Sequence, residues 1–269
     1  MIAEHDHSGD WNPEQYRRFS DERSQPFFDL LDLINESRVV TAVDLGCGPG
    51  ELTSLAARQL AVGHIEGIDN APSMLTAARA YESSNVTFRD GDLSTWRATT
   101  PVDLVLAAAS LQWVPDHAAV LASWKESLAP GGQLAVQVPA NAHAPTHVIA
   151  TELANEEPYL SAFGAVGPPH DPVHENVLRP DEYARILRDL GCSDQRVFLR
   201  VYPHELENVD AVVSWVRGTT LTRFARALPP EAFEEFVRDY TLRLRRHYRD
   251  VAPVFFPFSR ILFWGQLPD

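Results

Sequence analysis

Lysine is almost missing from this 269-residue sequence: Lys125 is the only one, and arginine supplies nearly every cation. Acidic residues outnumber basic ones 37 to 23, leaving a formal net charge of -14. That balance disfavours a chain that wraps nucleic acid, because nonspecific DNA and RNA binding draws on clustered lysine and arginine. It leaves room for a local site in which a few arginines hold a small anion. Cysteine is also scarce. Cys47 and Cys192 are too few and too isolated for a disulfide framework or a zinc ribbon, so both read as structural residues of a reducing compartment. No apolar run approaches the roughly 20 residues that a membrane-spanning helix needs. The first ten residues are polar and acidic, with His5 and His7, and lack the basic start and apolar core of a secretory signal. The expectation is a cytoplasmic protein with no membrane or nucleic-acid partner and no metal. No feature fixes the oligomeric state, and a monomer is the default.

What the sequence does have is alternation. Short β-rich runs at 39–45, 64–68, 86–89, 102–107 and 133–138 are separated by helical patterns at 51–60, 72–81 and 117–128. This order predicts an α/β fold with a mostly parallel, doubly wound sheet. Pro130-Gly131-Gly132 is expected to end the last of these helices. After Pro139 the periodicity breaks into a stretch rich in Pro, His and Ala that runs to about 178. Such a segment at the carboxyl end of a strand usually forms part of a cap over a ligand crevice. A helix over 180–190 follows, with Pro180 in its first turn and Gly191 past its end. Strands at 197–202 and 259–264, with helical sequence between them, bring the strand total to seven. The chain thus divides into an N-terminal helical lid (1–36), a core (37–140), a cap insertion (141–178), a core helix and strand (179–204), a largely helical second cap insertion (205–256) and a final core strand (257–269).

The strongest local signal is Val43-Asp44-Leu45-Gly46-Cys47-Gly48-Pro49-Gly50, where a buried strand turns into a helix. Glycine is needed there because the backbone takes conformations closed to other residues and a ligand approaches with no Cβ in the way. A dinucleotide site would space its glycines G-x-G-x-x-G. Here they fall at 46, 48 and 50, which disfavours NAD.

The D-L-G-C-G-P-G run closely resembles the first motif of class I S-adenosylmethionine methyltransferases, a Rossmann-like fold with a seven-stranded sheet. The resemblance implies S-adenosyl-L-methionine as cofactor, with Asp44, Gly46, Gly48 and Gly50 around its methionine part. Asp69, closing the second strand beside Asn70, would accept both ribose hydroxyls, which are donors and call for a carboxylate. Gly91-Asp92-Leu93 after the third strand would supply Asp92 to the adenine amino group and Leu93 to the ring, with Met74 on its flank. Any one of these aspartates is more often a turn or helix-cap residue than a ligand. Three signals at successive strand ends favour the site.

After the fourth strand, Ala108-Ala109-Ser110-Leu111-Gln112-Trp113 offers small residues such as Ala109 to the cofactor and Gln112 and Trp113 to an acceptor. Trp113 packing the next helix explains that residue equally well. The segment at 11–16 with Phe19, Arg23 and Pro26, the runs at 110–114 and 136–141, and the later Tyr202-Pro203-His204, Trp215-Val216-Arg217-Gly218-Thr219 and Phe256-Pro257-Phe258-Ser259-Arg260 together resemble the trans-aconitate 2-methyltransferase family over nearly the whole chain. The family usually has a second arginine where Gln25 stands, and an aromatic-rich strand where Phe198-Leu199-Arg200-Val201 stands.

This resemblance implies methyl transfer to a carboxylate oxygen of a small polycarboxylic acid, trans-aconitate, giving a monomethyl ester and S-adenosylhomocysteine. A carboxylate is already ionised at neutral pH, so no general base is needed. Arg23 and Arg260 are candidates to clamp spectator carboxylates through bidentate guanidinium bonds. Neutral donors suit the attacking oxygen, which a strong cation would quench: Tyr16, Trp113, Gln137, Asn141 and Tyr202 are the candidates, with Gln112 also facing the acceptor. His147 and His204 are weaker ones. Two rivals stay open. One is a malonyl-carrier-protein or natural-product O-methyltransferase on the same scaffold, and the other is a noncatalytic partner that binds S-adenosylmethionine.

Overall fold

The structure is a computed structural model that describes residues 20–269, with side chains from Ser24 onward. Tyr16 therefore lies outside the described residues, as does the side chain of Arg23. Two compact units are present. Among the described residues the first holds those from Ser20 to Pro139, Asn176–Arg200 and Arg260–Asp269; the second holds Ala140–Glu175 and Val201–Ser259.

The first unit opens with helix α1 (Ser20–Leu31) and then alternates β1 (Thr41–Leu45), α2 (Glu51–Gln59), β2 (His64–Asp69), α3 (Pro72–Ala78), β3 (Val86–Asp90), β4 (Val102–Ala108), α4 (His117–Lys125) and β5 (Leu128–Pro139). β-Branched and leucine side chains make these strands: Val43, Leu45, Ile65, Ile68, Leu104, Val105 and Leu106 are all buried. Strands covered on both faces read as continuous apolar runs, as expected where helices pack on each side of a parallel sheet. The seven strands, completed by β6 (Asp194–Leu206) and β7 (Val254–Gln266), lie in the order β3-β2-β1-β4-β5-β7-β6. β1 pairs in parallel with β2 from Thr41↔His64 to Leu45↔Ile68 and with β4 from Ala42↔Leu104 to Asp44↔Leu106. The chain therefore winds outward from β1 in one direction, then returns to its other side. A crevice opens at such a switch point, at the carboxyl ends of β1 and β4. β7 is the antiparallel member, paired with β5 from Gln133↔Gln266 to Pro139↔Arg260.

Phe27, Leu30 and Leu31 of α1 join Ala56, Ala57 and Leu60 on the sheet around Ile65, Leu104, Leu106 and Leu262. Each fully enclosed aliphatic or aromatic side chain of this kind contributes roughly 1.5–3 kcal/mol. Gln133, though wholly buried, is satisfied: its Oε1 accepts from Asn35 N (2.8 Å) and Trp264 Nε1 (2.9 Å), and its Nε2 donates to Asn35 O (3.1 Å).

The doubly wound seven-stranded expectation holds, with corrections at the boundaries. Pro130-Gly131-Gly132 does not end a helix: α4 stops at Lys125, and β5 runs through all three residues. Gly131 (φ +70°) donates to Pro268 O at 2.8 Å, and Leu267 donates to Gly132 O at 2.9 Å. Pairing with β4 jumps from Val102↔Leu128 to Leu104↔Gln133, so the extra residues form a bulge, one of the few strand positions that accept proline. The partner that turns this breaker into strand is the end of the chain, beyond the reach of a local signal. β6 and β7 likewise run several residues past the expected 197–202 and 259–264.

The second unit is largely helical: α5 (Pro145–Ala154), α6 (Tyr159–Ala162), α7 (Pro172–Asn176, whose last residue counts with the first unit), α9 (Val209–Arg217), α10 (Thr222–Ala227) and α11 (Pro230–Tyr248), with α8 (Pro180–Asp189) belonging to the first unit. α11 buries Phe233, Phe236, Val237, Tyr240 and Leu244, a stripe at helical spacing. Phe236 meets Phe224 and Tyr159 at ring distances of 4.8 and 5.1 Å. Tyr240 donates to Thr146 O at 2.9 Å. Asp171 lies against His147 Nδ1 (2.7 Å) and Arg223 Nη1 (2.8 Å), and His147 Nε2 sits 3.1 Å from Thr220 Oγ1. No helix among the described residues is long and apolar enough to cross a membrane.

Candidate active site

β1 ends in a loop that three left-handed glycines shape, at φ +78° (Gly46), +55° (Gly48) and +79° (Gly50). Their surroundings differ. A Cβ on Gly46 would sit 2.2 Å from Ser110 Cβ, and one on Gly50 would sit 2.6 Å from the Phe88 ring, so packing as well as conformation demands glycine at both. A Cβ on Gly48 would meet nothing within 4 Å. The loop is thus packed from beneath and open at Gly48, the arrangement a backbone cradle for a ligand requires.

Two carboxylates flank this loop. Asp69 ends β2 half-buried, its Oδ2 accepting from Gly48 N and its Oδ1 from Ala71 N, both at 2.9 Å. Each oxygen retains capacity for a further donor, so Asp69 can accept two hydroxyls while it ties the loop to α3. Burial raises its carboxyl above the usual range against the lowering pull of these backbone N–H groups. Asp44, only 2% exposed, accepts from Thr53 Oγ1 through Oδ2 (2.6 Å), and its Oδ1 has no hydrogen-bond partner among the described residues. Burial pushes Asp44 up to about 7, opposed by the Thr53 hydrogen bond and aided by the charge of Asp69. An orphaned buried carboxylate oxygen beside an open glycine loop fits a ligand that brings cationic and hydroxyl donors. S-adenosylmethionine carries an ammonium, a sulfonium and a ribose diol.

At the end of β4, Ser110 Oγ donates to Leu45 O at 2.5 Å and clamps the following turn onto the glycine loop. Ala109 has a left-handed φ of +57°; its N–H donates to Gln137 O (2.9 Å), and its carbonyl accepts from Gln112 Nε2 (2.6 Å). Gln112 and Gln137 therefore meet at Ala109. Both are buried, and neither Oε1 has a partner among the described residues. Trp113 is half-buried in the same turn, and Arg260 is buried opposite Pro139 in the β5–β7 ladder. Asn141 and Tyr202, both buried, belong to the second unit. Of the adenine-side candidates, Met74 is buried, Leu93 is partly buried and Asn70 is exposed. Asp92 is exposed, and its Oδ1 accepts from both Ser94 N and Ser94 Oγ at 2.7 Å. The turn role that competed with the ligand role is thus present at Asp92.

Sequence reasoning passed over Thr53 and the clamping role of Ser110. Thr53 lies nine residues after Asp44 and reaches it only because α2 begins where the loop ends. Ser110 stood in a run read simply as small. Among the described residues no group of three or more His, Cys, Asp or Glu is placed to hold a metal ion.

Crevice, loop and paired carboxylates define the class: a class I S-adenosylmethionine-dependent methyltransferase. Residues 42–132, β1 through the bulge of β5, match the family described as "Methyltransferase domain". A solved Bacillus subtilis structure, that of the YcgJ protein, shares the fold with a TM-score of 0.57 at 15% identity, over 90% of this chain and 99% of that one. Sequence relatives are narrower. The trans-aconitate 2-methyltransferase of Deinococcus radiodurans is 37% identical over 96% of this chain and 99% of its own length, and that of Agrobacterium fabrum is 39% identical over 90% and 92%. The chain belongs to the trans-aconitate 2-methyltransferase family.

Proposed function

We propose that this protein methylates a carboxylate oxygen of trans-aconitate, yielding the monomethyl ester. The observation that carries the reading is the extent of the kinship. The relatives of that name match nearly end to end, so the likeness includes the second unit, beyond the family match that stops at residue 132.

When bound, the cofactor would supply a methyl group on a sulfonium, to be passed to the acceptor oxygen with the S–CH3 bonding pair left on sulfur. The protein's residues hold and exclude. Asp69 grips the ribose diol, Asp44 and the loop at Gly46, Gly48 and Gly50 hold the methionine end, and Met74, Asp92 and Leu93 border the adenine beside Asn70. The acceptor is already an anion, so positioning and exclusion of water carry the rate. Arg23 and Arg260 are assigned to the spectator carboxylates, because a guanidinium fork matches a carboxylate. Tyr16, Trp113, Gln137, Asn141 and Tyr202 are assigned to the lighter task of orienting the attacking oxygen, with the N-terminal segment as lid. The protein acts in the cytoplasm on a small anion, without nucleic acid.

Purified protein incubated with methyl-labelled cofactor and a panel of di- and tricarboxylates tests the reading. Label should enter trans-aconitate in preference to the others. Transfer only to an acylated carrier protein, or to none of the acids, would overturn it.

A further inference from the structure

The resemblance places Gln112 on the acceptor side, but the geometry of its amide points elsewhere. A side-chain amide has a donor end and an acceptor end, and which end faces a ligand depends on what already holds the other. At Gln112 the holder is Ala109 O, which accepts from Nε2 at 2.6 Å. Turning the amide over would set Oε1 against that carbonyl at the same distance, two acceptors in contact. Oε1 is therefore the end that stays available, in a residue 5% exposed, and it has no partner among the described residues. An amide oxygen repels a carboxylate and attracts an N–H or O–H donor.

The surroundings narrow the donor. The turn that carries Gln112 is clamped to the glycine loop by Ser110 Oγ on Leu45 O, and Gly46 has no room for a Cβ against Ser110. Asp44, next to Leu45, presents a further orphaned buried acceptor, Oδ1, in addition to the Oε1 atoms of Gln112 and Gln137. Two of these unsatisfied acceptors, those of Gln112 and the acidic Asp44, thus flank a single fastened contact. Leaving both buried and unbound costs free energy that a ligand with several cationic donors recovers. We infer that Gln112 is a cofactor residue: its Oε1 accepts from the α-ammonium of S-adenosylmethionine, the amide being held in that orientation by its donor bond to Ala109 O. The inference rests on the cofactor class and not on the identity of the acceptor acid.

Calorimetry with three nucleosides tests it, and no acceptor or turnover is required, so failure of trans-aconitate as a substrate would leave the test intact. S-adenosylhomocysteine carries the ammonium, its deaminated analogue lacks only that group, and 5′-methylthioadenosine lacks the whole amino-acid part. Gln112→Met, close to glutamine in length, should weaken S-adenosylhomocysteine by roughly ten- to a hundredfold, the range for one hydrogen bond to a charged group. Methylthioadenosine affinity should be unchanged, which also reports that the variant is folded. On the unaltered protein, removing the ammonium from the ligand should cost a similar factor, and that factor should shrink in the variant. If Gln112→Met instead binds S-adenosylhomocysteine normally, or weakens all three nucleosides equally, the assignment is overturned. Should Gln112→Met lose its native circular dichroism, Gln112→Leu and the analogue comparison on the unaltered protein decide the matter, and equal affinity for S-adenosylhomocysteine and its deaminated analogue overturns it.

Discussion

Asp44 in the first unit and Asp171 in the second are both enclosed carboxylates, yet burial pushes one up to about 7 while the other is held well below the usual range. Their partners make the difference. Asp44 has one hydroxyl, from Thr53, and an oxygen with no partner among the described residues. At Asp171 burial also acts upward, but the hydrogen bond and charge of His147, then Arg223, overcome it. A buried charge that the protein pairs for itself is structure, whereas one left half-satisfied awaits something from outside. By that criterion the first unit is built to receive a cation and the second to hold its own helices together.

The most severe way to break this contrast is Asp171→Ala. It removes the anion that His147 and Arg223 share and leaves the Arg223 guanidinium enclosed without its ion-pair partner, a change expected to cost about 3–5 kcal/mol. Denaturant melts followed by the fluorescence of Trp215, which lies in the same unit, would measure it. A loss below about 1 kcal/mol would mean that the cluster is incidental.

The pH dependence of stability sharpens the comparison further, because the two carboxyls act with opposite sign. Asp44 is raised on folding, so its stabilising contribution is complete below the unfolded value of 3.8 and disappears as pH climbs through about 7. A rise of that size corresponds to about 4 kcal/mol at most. Asp171 is lowered, so its contribution is present above 3.8 and disappears as pH falls toward its lower folded value. Asp44→Asn should flatten the decline in stability between about pH 4 and 7, and should leave the acid limb, governed by Asp171, unchanged. An equally steep slope in the variant would show that another group titrates there.

Asp69→Ala comes next in size. It removes the acceptor for both ribose hydroxyls along with two bonds that tie the loop to α3, and S-adenosylhomocysteine affinity should fall at least about a hundredfold, or about 2.7 kcal/mol. Calorimetry on protein with unchanged circular dichroism would show it, and affinity within about threefold of the unaltered chain would move the ribose site elsewhere.

The two regions also differ in how far they were legible in the sequence. The glycine loop and Asp69 could be read because what forms them is local: glycines two residues apart after an apolar strand, and a carboxylate at the next strand's end. The His147–Asp171–Arg223 cluster joins residues from three separate segments, with no periodicity to announce it. Distance along the chain also hid the strand character of Gly131 and Gly132, whose partners are Pro268 and Leu267. Gln112 was legible only in part, for a different reason. Its position beside the site was readable, but which end of its amide stays available follows from the hydrogen bond to Ala109 O, in a residue whose φ of +57° nothing in the sequence signals.

The smallest effect separates the glycines of the loop itself. Gly46→Ala combines left-handed strain with a 2.2 Å overlap on Ser110 and should fail by misfolding, which says nothing about a ligand. Gly48→Ala carries the strain alone, about 1 kcal/mol for an alanine at φ +55°, since its Cβ meets nothing within 4 Å. That Cβ projects where the loop is open, so its effect on binding reports what lies there. If the cofactor passes over Gly48, S-adenosylhomocysteine affinity should drop about tenfold, or roughly 1.4 kcal/mol, in a protein whose melting point has fallen only a few degrees. Full affinity in the same variant would place the ligand on another face of the loop, and the open side of Gly48 would then owe its glycine to backbone conformation alone.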